Sequence, residues 1–202
     1  MKYIQKIESL FSPLLWRGLG EAFIILLLFV SCSDDNEFNA EYQCYFTFDT
    51  NIHNTSILRN ALNSLAPGTF AYVSTTLKNG GVRYVSISLN DGKTNEETAI
   101  TTAEETRRSY ILGINNGLII GYGSLSNGTL YAFDHQCPNC VREYALYKYP
   151  LNWTNNGNWV KCKNCQRTYD LNNGGFIVEG EKGSKLIRYR INYNGNILIV
   201  HN

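Results

Sequence analysis

Two Cys-x-x-Cys pairs, Cys137/Cys140 and Cys162/Cys165, carry most of the chemistry this chain could do. That spacing puts two thiolates on one tight turn, where both can point at a common centre. Two such turns supply four sulfurs, a full shell for a tetrahedral metal ion. The separation of the pairs is close to that of four-cysteine zinc sites, with a slightly longer intervening loop. The residue types mark a cysteine-rich site without choosing its occupant.

Three chemistries fit the pattern. A structural Zn2+ would tie the two turns together, and its binding energy would become folding energy. Iron, as a cluster or a single ion on the four Cys, would serve electron transfer. Disulfides or a reactive dithiol would suit an oxidising compartment. Cys137-Pro-Asn-Cys140 also has the form of a thioredoxin-type redox motif, but that motif belongs at the strand-to-helix junction of a βαβ unit, and none is read here. No nucleophile–base pair, carboxylate pair or phosphate-binding loop stands out elsewhere. Asp49, Asp91 and Asp134 read as turn or loop residues without companions. His53, His135 and His201 read as surface histidines. No catalytic residue is assigned, and an enzyme is not the expected reading.

The elements that must hold the cysteines read as short strands. Tyr42, Cys44, Phe46 and Phe48 alternate on one face of a strand over Glu41–Thr50, with Cys44 as a small buried hydrophobe. Thr55 or Ser56 caps a short helix over Ile57–Leu65, closed by Pro67-Gly68. Phe70–Leu77 and Val82–Leu89 flank Asn79-Gly80, a strong hairpin signal. Lys93–Arg108 reads as a polar surface loop with a helical turn near Ala103. Ile111–Ile114 and Leu118–Tyr122 bracket Asn115-Asn116-Gly117 as a second hairpin, and Leu130–Phe133 leads into the first Cys pair. Tyr144, Tyr147, Tyr149, Trp153 and Trp159 lie between the pairs and are expected to pack over the site. Phe176–Val178 gives one more strand; Leu186–Asn192 and Ile197–Val200 form a terminal hairpin. The fold class is all-β, a sandwich or barrel with one short helix and a small two-loop metal-binding subdomain at about 134–172.

The second half resembles the Rieske family. The likeness lies in the order of features over about 129–200: Tyr131-Ala-Phe-Asp, then Cys137-Pro-Asn, an insert, and Cys162-Lys-Asn-Cys165-Gln-Arg-Thr-Tyr169-Asp170. Gly174-Gly175 and Leu186-Ile-Arg-Tyr189 follow. The resemblance implies a Rieske-like β domain and a [2Fe–2S] cluster. It departs at the ligands, because a Rieske cluster needs two Cys and two His. Asn139 and Cys165 stand where the histidines are expected, and Gln166 where the family has Gly. An all-cysteine [2Fe–2S] centre would be more reducing than its His-containing counterpart. The alternative is one Zn2+, or mononuclear Fe, on Cys137, Cys140, Cys162 and Cys165.

The first 31 residues read as an address. Ala22–Val30 is apolar but too short to span a bilayer, which needs about 20 residues. Basic residues precede it, and Ser31 and Cys32 follow, as in a secretory signal. Phe29-Val-Ser-Cys32 resembles a bacterial lipobox, which implies a signal peptide over 1–31, lipidation of Cys32 and export to a bacterial membrane. That membrane is expected to be the outer one, with the protein facing the periplasm or the surface. Residues 32–41 form an acidic tether, and 42–202 one domain. Net charge is +1 with 17% charged residues. Without the signal the chain is near neutral, so nucleic acid is excluded as a partner. The expected partners are the membrane, through the anchor, and a redox or binding partner.

Overall fold

The computed structural model describes residues 37–78, 80–125 and 128–202, and residues 37–202 form one compact unit. Cys32 and the signal segment lie outside the described residues. The fold is all-β. Among the described residues, thirteen strands make three antiparallel sheets, with two short α-helices.

The first sheet is built on β1 (Cys44–Asp49), whose alternation puts Cys44, Phe46 and Phe48 inward. β1 pairs with β13 (Ile197–His201) and with β5 (Ile111–Leu112), and β13 pairs with β12 (Arg190–Tyr193). The second sheet runs β4 (Asn95–Ile100), β3 (Arg83–Leu89), β2 (Phe70–Leu77), β6 (Gly117–Tyr122), β7 (Leu130–Asp134). The third, β11 (Phe176–Glu179), β10 (Thr168–Asp170), β9 (Trp159–Cys162), β8 (Leu151–Thr154), is inserted between β7 and β12.

The central wall of the molecule is β6–β7. β6 reads Gly-Leu-Ile-Ile-Gly-Tyr, a continuous apolar run rather than an alternating one, as a strand covered on both faces requires. Leu118, Ile120 and Ala132 face a first core with Phe46, Phe48, Val85, Ile87, Leu198 and Val200. Ile119, Tyr131 and Phe133 face a second core with Leu151, Val160, Tyr169, Leu171 and three of the paired cysteines. Residues 187–189 bond to β7 through Asp134 N–Ile187 O and Tyr189 N–Ala132 O, each 2.9 Å. The chain then passes into β12, joining the inserted sheet back to the first.

Several expectations change. The first helix, α1, spans only Leu58–Ala61, and Leu65 is 91% exposed, because the Asn63 carboxamide takes the Leu65 N–H and turns the chain early. The 93–108 segment holds strand β4. Its Glu96 side chain is engaged by Ser56 Oγ and Ile57 N, so its polar residues make tertiary bonds as well as facing solvent. β5 does not form a hairpin with β6; it pairs with β1, and β6 pairs with β2 and β7. A second helix, α2 (Pro138–Tyr144), begins inside the first Cys pair. Proline suits a first helical turn, where its missing N–H has no bond to lose.

Candidate metal centre

Cys137 and Cys140 are positioned by the β7–α2 junction. Cys137 is the residue before the helix, with extended backbone, and Cys140 lies in the first turn. The loop ahead of them is fastened to the inserted sheet: Tyr149 N donates to Gln136 Oε1 at 2.7 Å, Cys137 N to Tyr149 O at 2.9 Å, and Leu151 N to His135 O at 2.9 Å. The first pair therefore does stand at a strand-to-helix junction, contrary to the sequence reading. The sheet around it is antiparallel, so no βαβ unit is present among the described residues. Cys162 ends β9 and Cys165 closes the following turn, where Gln166 N donates to Cys162 O at 3.0 Å and Gln166 adopts φ +60°.

These two loops bring all four sulfurs together. Every Sγ lies within 4.8 Å of the others, close enough to bind a metal ion. Two of the separations that cross between the loops are Cys137–Cys165 at 3.6 Å and Cys140–Cys162 at 3.7 Å. Neither is an S–S bond, which is about 2.05 Å. Four sulfurs at about 2.3 Å from a central zinc stand about 3.8 Å apart, so the observed edges fit one tetrahedral ion.

The surroundings treat the sulfurs unequally. Backbone N–H groups of Asn164 and Cys165 donate to Cys162 Sγ, and that of Cys140 to Cys137 Sγ. Asn164 Nδ2 donates to Cys140 Sγ at 3.3 Å. The Cys137 thiol beside it, with these amides, holds Cys162 down to about 5, whereas burial first pushes Cys140 up to about 11. Cys137 is pushed up by the neighbouring Cys162 and by burial. Without a metal the pocket therefore shares protons among its sulfurs, since packed thiolates repel one another. A dication removes that repulsion.

Asn139 is not a fifth ligand. Its Nδ2 donates to Tyr169 Oη and to Ser184 O, both 2.9 Å, and its Oδ1 takes the Ser184 N–H at 2.9 Å. Gly183 makes this clasp possible, because a Cβ there would meet Asn139 Oδ1 at 2.3 Å.

Cys137, Cys140 and Cys162 are 0–1% exposed, and Cys165 is half-buried. The expected cover forms in part: Tyr149 and Trp153 pack against the second core, which Phe133, Leu151, Val160 and Leu186 line, whereas Tyr144 and Tyr147 are 47% and 54% exposed.

The histidines and Asp134 also differ from expectation. His135 is not at the surface: its ring packs on Tyr72 with centroids 4.0 Å apart, and burial lowers its pKa to about 4. His53 has a companion, the buried Glu105, at 2.8 Å. His201 is half-buried and its Nδ1 lies 2.7 Å from Asn202 O. Asp134 is fully buried in β7. It accepts from Ile114 N, Gln136 N and Tyr189 Oη at 2.7–2.8 Å. Ile114 and Tyr189 are distant from it in sequence, and no local pattern announces them. Cys44 is buried as expected, and burial pushes its thiol up to about 12.

Comparison with protein-family models, with curated proteins and with solved structures returns no match to this chain.

Proposed function

We propose that Cys137, Cys140, Cys162 and Cys165 hold a single Zn2+ that staples the inserted sheet to the wall formed by β6 and β7. The rest of the β domain is then a binding or structural module, exported and anchored through Cys32. The observation that carries this reading is the compactness of the sulfurs, all within 4.8 Å and with two cross-loop edges of 3.6 and 3.7 Å. A [2Fe–2S] centre divides its ligands between two irons and so needs some sulfur pairs held further apart than one tetrahedron allows. Burial of three of the four cysteines among core side chains supports a structural role for the ion, whose binding energy becomes folding energy.

One observation favours a redox reading with iron. Cys165 is half-buried, which leaves one edge of the site near solvent for an electron to leave by. The order β7, first Cys turn, inserted strands, second Cys turn, β10, Gly174-Gly175 also supports a Rieske-like origin. Against a His-containing cluster, Asn139 is engaged by Ser184 and Tyr169.

Metal analysis with a visible spectrum, on protein purified anaerobically, decides between these. One zinc per chain and no colour is expected. Iron with charge-transfer bands and acid-labile sulfide would replace the staple with a cluster, and iron without sulfide would mean mononuclear Fe. Mass spectrometry of the mature N-terminus tests the anchor, with a diacylglyceryl-modified Cys32 as the expected first residue.

A further inference from the structure

We propose that Cys165 is a hydroperoxide-reactive modification site, and that its oxidation closes a Cys137–Cys165 disulfide that opens the metal site. The inference rests on the single-ion reading above.

Two observations converge on Cys165. The first is access. Cys137, Cys140 and Cys162 are sealed in the second core, whereas Cys165 is half-buried on the turn before β10. A solute approaching the site meets Cys165 first, and exposure selects which thiolate is oxidised. The second is a resolving partner. Cys137 Sγ stands 3.6 Å from Cys165 Sγ. Bonding at about 2.05 Å closes that gap by roughly 1.5 Å, within the play of two turns.

The chemistry balances without a further reactant. The Cys165 thiolate attacks the outer oxygen of a hydroperoxide. The S–O bond forms, the O–O bond breaks, and the alkoxide or hydroxide leaves and takes a proton from water. Cys137 thiolate then attacks the sulfenic sulfur; the S–S bond forms, the S–O bond breaks, and hydroxide leaves to become water. The two cysteines lose two electrons and the peroxide gains them. Cys140 and Cys162 alone are half a shell, too few sulfurs to retain a tetrahedral ion.

The test uses the full chain loaded with zinc and treated with hydrogen peroxide. Zinc release is followed with a chromogenic chelator, and disulfides are mapped in non-reduced digests. The expected result is one zinc released per Cys137–Cys165 disulfide, reversed by thiol and added zinc, with buried Cys44 unmodified. A loaded protein as inert as Cys44 would overturn the inference while leaving the zinc staple standing. So would a first bond between Cys140 and Cys162, or Cys165 sulfinic acid without a disulfide. A chain that binds no metal, yet still forms Cys137–Cys165 under peroxide, would overturn the staple and support the modification site.

Discussion

The Tyr169 hydroxyl lies 3.2 Å from Cys137 Sγ and accepts a hydrogen bond from Asn139 Nδ2 at 2.9 Å. With Asn139 donating to its oxygen, the phenol proton is left for the sulfur, so Tyr169 is a donor to the Cys137 thiolate. Both residues are fully buried, and Tyr169 belongs to β10, the strand that follows the second Cys turn. One side chain thus couples the two loops behind the ligands. Tyr169→Phe keeps the ring in the core and removes that bond. Metal affinity is expected to fall roughly tenfold or more, the usual cost of losing an outer partner of a ligand, and stability by about 1–3 kcal/mol. Competition with a chromophoric chelator and denaturant unfolding measure the two effects.

Removing the metal is expected to loosen one layer rather than the whole molecule. The first core, between β1, β13 and the β2–β3–β6 face, contains none of the four ligands. The second contains three of them. Hydrogen exchange after chelation should show protection lost in β8–β11 and kept in β2, β3 and β6. Uniform loss across both sheets would mean that the two cores are one cooperative unit.

Asp134 predicts a pH dependence of stability. Burial raises its pKa from 3.8 to about 6, outweighing the bonds from Ile114, Gln136 and Tyr189. The folded state therefore holds a proton that the unfolded chain has released between about pH 4 and 6. The contribution is fully present below pH 4 and is lost as pH rises through 6. A shift of that size corresponds to up to about 3 kcal/mol. Unfolding free energies of wild type and Asp134→Asn, measured from pH 4 to 7, should differ by an amount that changes by this order across that window. A constant difference would show that Asp134 titrates normally.

Gln166 is a non-glycine residue at φ +60°, directly after the second Cys pair. The left-handed region costs an L-residue about 1–2 kcal/mol. Against that, its side chain makes one exposed bond, Nε2 to Lys163 O at 2.6 Å. Gln166→Gly is expected to leave metal content unchanged and to stabilise by up to about 1 kcal/mol. Gln166→Val, which adds β-branching to the same backbone, should destabilise by more than 1 kcal/mol. Denaturation midpoints of the metal-loaded variants test both.

Much of this protein is written in short-range sequence patterns. Alternation over Cys44–Phe48 and over Val85–Leu89 determined which faces are buried, because strand periodicity is set by the backbone alone. The Asn79-Gly80 signal determined the β2–β3 hairpin, whereas the similar signal at Asn115-Asn116-Gly117 did not pair β5 with β6. The two Cys-x-x-Cys spacings determined which residues could share a centre. The tertiary structure decided what depends on distant partners. β5 joined β1 because its hydrogen bonds were satisfied there, far along the chain. Glu96, Glu105, Asp134, His53 and His135 became interior or half-interior through contacts with residues tens of positions away, which no local period encodes. The meeting of four sulfurs within 4.8 Å is of the same kind. Each pair is a local turn, but their convergence follows from β8–β11 packing on the face of β6–β7, where burying the second core fixes the distance between the two loops.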